Sequence, residues 1–143
     1  MMPRWDLVLV LNALLEAPFE PLKTAELKMV TWKTVFLLLL MAGKRRGDIH
    51  AIDVSRVYAK QDQSEMILYP VLNYLPKVAD AAEGQFRLQP IKIPAITQTI
   101  GRSRQEPDRL LCPVRAVSYY KDRTKTMKPR PIRRGCLSLC SQR

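Results

Sequence analysis

The most apolar run in the chain, "TVFLLLLMA" at 34–42, stops at Gly43 and is followed at once by Lys44, Arg45 and Arg46. Apolar residues occupy every side of this helical segment, a pattern typical of a helix that is buried all round. The run has about half of the roughly 20 residues that a membrane span needs. The sequence therefore predicts a central, buried helix of a globular domain, which ends at Gly43 and is followed by a basic turn.

Helical patterns lie on both sides of this run. Apolar residues at helical spacing predict a helix over about 4–17, which the prolines of "APFEPL" end. The buried helix begins near Thr24, and a short helix after Gly43 carries "KRRGDIHAI". Pro113 suits the first turn of a further helix, predicted over 113–127.

The pattern changes in the middle of the chain, from about residue 54. The stretches "SEMILYPVLNYLPK" and "QFRLQPIKIPAIT" are rich in β-branched and aromatic residues and contain prolines. They predict two or three short strands of a small antiparallel sheet, and "GRSRQEPDR" at 101–109 predicts an exposed loop. Helices before and after a run of strands indicate an α+β fold, mainly helical with a small antiparallel sheet.

Length and composition predict one packed domain at most. The chain has 143 residues, and 47% of them are hydrophobic, which is ample for a core. Periodicity is readable as far as residue 127, and the segment that follows is basic and irregular. We therefore predict a domain over 1–127 and a basic tail over 128–143.

The charge of the chain predicts a polyanionic partner. Lys and Arg number 24 against 13 Asp and Glu, for a net charge of +11. Residues 1–100 carry 12 basic and 10 acidic side chains, whereas 101–143 carry 12 basic and 3 acidic ones. This asymmetry indicates nucleic acid or an acidic membrane surface, with a merely solubilising tail as the alternative.

Several classes of function have no support in the sequence. The N-terminus lacks the layout of a signal peptide, so we expect an intracellular protein that is not inserted in a membrane. One histidine, His50, and three cysteines offer no zinc-ligand spacing, and no phosphate loop or nucleophile elbow occurs. We therefore expect no metal and no small-molecule cofactor.

The stretch "LLLLMAGKRRGDIHAIDVSRV" resembles the first arginine box of the tyrosine recombinases, the superfamily of phage integrases and Xer-type resolvases. Three further stretches resemble the recombinases of DIRS-type retroelements: "WDLVLVLNALLEAPFEPL", "LKMVTWKTVFLLLLMAGKRR" and "DRLLCPVRAVSYYKDRT". The resemblance covers roughly 3–127. It implies the front part of a recombinase catalytic domain, with double-stranded DNA as the partner, DNA integration and recombination as the process, and a nuclear location.

The resemblance implies that Arg45 is the first catalytic arginine and that Asp48 braces it. In a helix, positions 45, 48 and 49 would share a face, so Asp48 could orient Arg45 while Ile49 anchors that face in the core. The alternative is an ordinary surface ion pair between Arg45 and Asp48, worth less than about 1 kcal/mol.

The same family places a lysine on a β-hairpin after the first arginine, where it protonates the leaving 5′-oxygen. Lys77 lies at about that position, with Lys92 as a rival and a solvated strand-end lysine as the alternative reading of Lys77. The predicted DNA-binding residues are Lys44, Arg46, Lys92, Arg115, Arg130, Arg133 and Arg134.

The family's remaining catalytic groups are a His-x-x-Arg box, a second His or Trp, and a nucleophilic tyrosine. No His-x-x-Arg occurs in this chain, and its tyrosines all precede the expected place of the nucleophile: Tyr58, Tyr69, Tyr74, Tyr119 and Tyr120. We therefore expect a fragment without strand-transfer activity of its own.

Two alternatives of a different class remain open, and so does assembly of a homo-oligomer on DNA. The chain could be a non-catalytic nucleic-acid-binding module that uses its basic C-terminal region. It could instead be a protein-interaction module that docks through the predicted helix over 4–17.

Overall fold

A computed structural model of the chain describes residues 5–72, 89–96 and 106–127. Within these ranges there are five helices: α1 (Leu7–Ala13), α2 (Leu27–Ala42), α3 (Arg46–His50), α4 (Glu106–Leu110) and α5 (Pro113–Thr124). Three strands lie between α3 and α4 along the chain: β1 (Ile52–Ala59), β2 (Glu65–Pro70) and β3 (Ile91–Pro94). The predicted α+β class, with helices around a small antiparallel sheet, is confirmed.

The three strands form one antiparallel sheet in the order β1-β2-β3. Tyr58 pairs with Ile67, and Ile67 pairs in turn with Lys92, so one row crosses all three strands. The neighbouring row is Val57, Leu68 and Ile91, and all three of these side chains are buried. Since side chains alternate between the faces of a strand, one face of the sheet packs on the core and the other carries the Tyr58 row.

Helix α2 is the central helix, and Gly43 ends it with a left-handed backbone, φ 58°, as the sequence predicts. Its buried side chains are Val30, Lys33, Thr34, Leu37 and Leu38, which share one side of the helix. The hydroxyl of Thr34 donates to the carbonyl oxygen of Val30 at 2.7 Å, and the carbonyl oxygen of Ala116 in α5 lies 3.4 Å from the same hydroxyl. The prediction of burial all round is wrong, because Trp32, Leu40 and Met41 are exposed.

The first helix is shorter than the predicted 4–17. Asp6 begins α1 by accepting hydrogen bonds from the amides of Val8 and Leu9, at 3.0 and 3.2 Å. No residue of α1 is buried, whereas Leu14, directly after it, is part of the core. The amphipathic pattern therefore extends past the point at which the regular helix ends.

Two other boundaries differ from the sequence prediction. Strand β1 was not predicted, because "IDVSRVYA" lacks regular alternation and its pairing is irregular between Ile52 and Val57. The loop predicted over 101–109 is helical from Glu106, where α4 begins. The start of α5 at Pro113 is confirmed.

In the part of the chain that the structure describes, no helix is long and apolar enough to cross a membrane. The same residues contain no group of three or more His, Cys, Asp or Glu side chains that could hold a metal ion.

Candidate nucleic-acid interface

The turn between α2 and α3 presents the basic triplet of the chain. Gly43 turns the chain out of α2, and Lys44, Arg45 and Arg46 are all exposed. The buried side chain of Ile49 fixes α3 to the core, at 1% exposure. Lys44 and Arg45 thus lie on the surface between α2 and α3, and Arg46 begins α3.

Arg45 lies just before α3 and not within it, so the predicted shared helical face of positions 45, 48 and 49 is wrong. Its backbone is extended, with φ −74° and ψ 155°. The carboxylate of Asp48 accepts a hydrogen bond from the backbone N–H of Arg45 at 3.1 Å and so caps the start of α3. Asp48 therefore positions the backbone of Arg45, which is a different contact from the predicted pairing along one helical face.

An open groove runs beside this turn, between the end of α2 and the approach to β3. Its lining residues are Met41, Ala42, Lys44, Gln89, Pro90, Ile91 and Lys92. The structure thereby brings together Lys44 and Lys92, which are far apart in sequence. Two ammonium groups on one apolar-floored groove attract an anion such as a phosphate.

The cations at the groove have few acidic neighbours. The side chains of Lys44 and Arg46 form no hydrogen bond or ion pair with the described residues. Glu65 has a lowered pKa, first because Lys60 donates a hydrogen bond to it and to a smaller extent because of the charge of Lys92. Glu65 pairs with Lys60 at 2.6 Å, and Lys92 forms no ion pair with any of the described residues.

Arg115, which the sequence predicts to bind DNA, lies in a different environment. Its guanidinium forms two hydrogen bonds to the carboxylate of Glu20, at 2.8 and 3.2 Å, and lies 5.3 Å from the ring of Tyr119. Both the guanidinium's donors and its charge are thus engaged within the protein. Contact between Arg115 and DNA is untested, and because Glu20 engages the guanidinium we expect Arg115 to make no phosphate contact.

The sequence pattern alone does not single out Lys33 as a buried charge on α2. Lys33 is fully buried and donates to the backbone carbonyl of Leu14 at 2.7 Å and to Glu20 at 2.5 Å. The signal was available, since Lys33 falls three residues after Val30, on the buried side of α2. No sequence signal identifies the partner of Lys33, because Glu20 lies in the irregular segment after α1.

The electrostatics of this cluster shift the pKa values of Glu20 and Lys33. Burial alone would raise the pKa of Glu20, but hydrogen bonds and charge from Arg115 and Lys33 outweigh it and hold that pKa below its ordinary value. Burial lowers the pKa of Lys33, and the hydrogen bond and charge of Glu20 oppose only part of this effect. The cluster of Glu20, Lys33 and Arg115, called here the buried charge cluster, joins α2 and α5 to the segment after α1.

Other predicted site residues lie outside the described residues: Lys77, Arg130, Arg133, Arg134 and Tyr74. Of the described tyrosines, Tyr120 is buried, Tyr69 and Tyr119 are half-buried, and Tyr58 is exposed on the sheet.

The helix proposed as an alternative docking face does expose apolar residues. Leu7, Val8 and Leu9 of α1 are exposed, as is Trp5 just before it. A role of this helix in protein interaction stays a prediction.

Comparisons with protein-family models, with curated proteins and with solved structures found no match for this chain. The resemblance to tyrosine recombinases therefore rests on the sequence stretches alone.

Proposed function

We propose that this chain binds double-stranded DNA through the groove beside Gly43, as a tyrosine-recombinase-like protein of DNA integration and recombination that acts in the nucleus. The observation that carries the proposal is that Lys44 and Lys92 line one groove, directly beside Arg45 and Arg46. A cluster of exposed cations between two helices suits contact with successive phosphates of a duplex.

Two cations have proposed roles in an intact enzyme of this type. Arg45 follows Lys44 in the turn without lining the groove, and we expect it to stabilise the charge that builds on the scissile phosphate; loss of one such donor costs about 10²–10³ in rate. Lys92 is the described candidate for the lysine that protonates the leaving 5′-oxygen, because it shares a groove with the basic turn. Asp48 supports this arrangement by capping α3 at Arg45.

The binding test is fluorescence anisotropy with one labelled duplex at several salt concentrations. Each phosphate contact contributes about 0.9 to the slope of log affinity against log salt. The double variant Lys44→Gln with Lys92→Gln is expected to lower that slope by between one and two units. Lys28→Gln is the matched control, since Lys28 is an exposed lysine in the first turn of α2, at the opposite end from Lys44.

A salt slope near zero for the unaltered chain would contradict duplex DNA as the partner. A normal slope that the groove variants leave unchanged would place duplex binding elsewhere, which is what the basic-tail alternative predicts.

A second measurement addresses strand transfer. The 143-residue chain is expected to form no covalent adduct on a nicked suicide substrate, since it contains no His-x-x-Arg box. An adduct that survives SDS and maps to one of the five tyrosines would contradict this.

A further inference from the structure

The face of the sheet that points away from the core carries aromatic and basic side chains side by side. Tyr58 is 56% exposed and packs edge-to-face on Tyr69, with ring centroids 5.9 Å apart. The guanidinium of Arg56 lies 5.1 Å from the ring of Tyr69 and donates to the backbone oxygen of Pro70 at 3.1 Å. Each of these side chains is therefore held in place before any partner arrives.

A third cation lies on the same face. Lys92 is exposed and belongs to the row of Tyr58 and Ile67, two strands across from Tyr58. Neighbouring strands are about 4.8 Å apart, so Lys92 lies on the order of 10 Å from Tyr58. The acidic residue on this face, Glu65, is neutralised by its 2.6 Å ion pair with Lys60.

We propose that this sheet face binds single-stranded nucleic acid, with a base stacked on Tyr58 and the backbone phosphates attracted by Arg56 and Lys92. A duplex cannot use Tyr58 in this way, because its bases are already stacked on one another. A single strand offers both a free base face and a negatively charged backbone, which match the aromatic ring and the two cations. A protein partner could also pack on Tyr58, but it carries no bases, so the comparison of base-containing with abasic strands tests the stacking directly.

The site is distinct from the duplex-binding groove, although Lys92 borders both. Tyr58 and Arg56 are not part of the groove, and Lys44 is not part of the sheet face. The two proposals can therefore fail separately.

The test uses the full chain and three labelled strands of about twelve units, a length within the site sizes of stacking domains. The strands are oligodeoxyuridylate, oligouridylate and an abasic deoxyribose phosphate chain, and the matched duplex serves as the fourth probe. We expect the two base-containing strands to bind roughly fivefold or more tightly than the abasic chain. The preference between the deoxyuridylate and uridylate strands, which differ only in the 2′-hydroxyl, identifies DNA or RNA as the source.

Variants of the protein test whether Tyr58 is the residue on which a base stacks. Tyr58→Leu keeps an apolar strand residue without a ring and is expected to weaken binding of the base-containing strands by roughly fivefold or more, whereas Tyr58→Phe stays within about twofold of the unaltered chain. The matched control is Trp32→Leu, since Trp32 is an exposed aromatic on α2 whose ring lies 4.9 Å from the ammonium of Lys28. Affinity for the duplex is expected to stay the same in Tyr58→Leu.

Equal affinity for the abasic and base-containing strands would overturn the proposal. So would a Tyr58→Leu effect no larger than that of Trp32→Leu, or a loss in Tyr58→Phe as large as in Tyr58→Leu. If circular dichroism shows that Tyr58→Leu does not fold, the abasic comparison on the unaltered chain decides alone.

Discussion

The two groups of cations in this protein have opposite surroundings. Lys33 and Arg115, in the buried charge cluster, both bind the carboxylate of Glu20, and Lys33 has no exposed surface. Lys44 and Lys92, in the groove, are exposed and have no such carboxylate partner among the described residues. The first group is part of the fold, and the second is available to a partner.

The comparison shows why the number of basic residues alone does not locate a binding surface. A buried charge is costly unless it is paired and hydrogen-bonded, so the burial of Lys33 depends on its pairing with Glu20. An exposed charge contributes little to stability, and its field is open to solvent and to anions. Mutations in the two groups should therefore separate stability from binding.

The largest effect is expected for Glu20→Gln. This variant keeps the shape of the side chain but leaves Lys33 buried without a countercharge, which costs about 3–5 kcal/mol of unfolding free energy. Urea unfolding followed by circular dichroism measures the change. The matched control is Glu65→Gln, which breaks the ion pair with the exposed Lys60 and should cost far less than Glu20→Gln. Equal losses in the two variants would contradict the contrast between buried and exposed charges.

The pH dependence of stability should depend on the same carboxylate. The pKa of Glu20 in the folded protein lies below its ordinary value of 4.5, so the unfolded chain takes up the proton first as pH falls. The stability that Glu20 contributes is therefore complete above pH 4.5 and is lost progressively as pH falls from there through its folded pKa. Urea unfolding at a series of pH values checks this, and Glu20→Gln should have a flatter acid limb than the unaltered chain. An identical acid limb in both proteins would show that Glu20 is not paired in solution.

Lys33→Met is expected to cost less than Glu20→Gln, about 1–3 kcal/mol. Methionine fills the apolar part of the site, and Glu20 keeps Arg115 and the backbone N–H of Leu22, at 3.1 Å, as donors. The loss comes mainly from the carbonyl oxygen of Leu14, which no longer accepts the bond from Lys33. The same urea titration measures it. If Lys33→Met loses more stability than Glu20→Gln, the contacts of the Lys33 side chain matter more to the cluster than the countercharge of Glu20.

Arg115→Gln tests whether a residue of the buried charge cluster also binds DNA. Loss of its two hydrogen bonds to Glu20 is expected to cost about 1–2 kcal/mol of stability, because hydrogen bonds to charged groups are stronger than neutral ones. The salt slope of duplex binding is expected to stay unchanged, in contrast to the groove double variant. A slope lowered by about one unit would assign Arg115 a phosphate contact.

Much of the fold could be predicted because its signals are local. The left-handed Gly43 and the Pro113 start follow from the backbone preferences of glycine and proline. The burial of α2 could not be predicted fully, because a uniformly apolar helix does not show which side packs on the core. Strand β1 was missed because its irregular pairing breaks the alternation by which strands are recognised.

The site was less accessible to sequence reasoning, since it depends on contacts between distant residues. The basic triplet was visible, but its neighbour in the groove is Lys92, which is 48 positions after Lys44. The pairing of Arg115 with Glu20 joins residues 95 positions apart. Likewise, the start of α3 at Arg46 places Arg45 in an extended backbone, a difference of one residue that changes which group Asp48 contacts.

The smallest effects on stability and on duplex binding are expected at the start of α3, next to the exposed cations. Arg45→Gln should change the unfolding free energy by less than about 0.5 kcal/mol, because the capping contact uses the backbone N–H of Arg45 and not its side chain. Its duplex-binding salt slope should fall by about one unit or less. Asp48→Ala removes the acceptor of that contact and should cost about 0.5–1 kcal/mol, within the range of helix caps.

Urea unfolding and anisotropy on the same two variants separate backbone positioning from phosphate contact. The expected pattern is a change of slope without a change of stability in Arg45→Gln, and a loss of stability in Asp48→Ala. If Arg45→Gln instead destabilises the fold as much as Asp48→Ala does, the guanidinium of Arg45 belongs to the fold in the way that Arg115 does. In that case Arg45 would belong with the cations that stabilise the fold, and Lys44 and Lys92 would remain as the cations open to DNA.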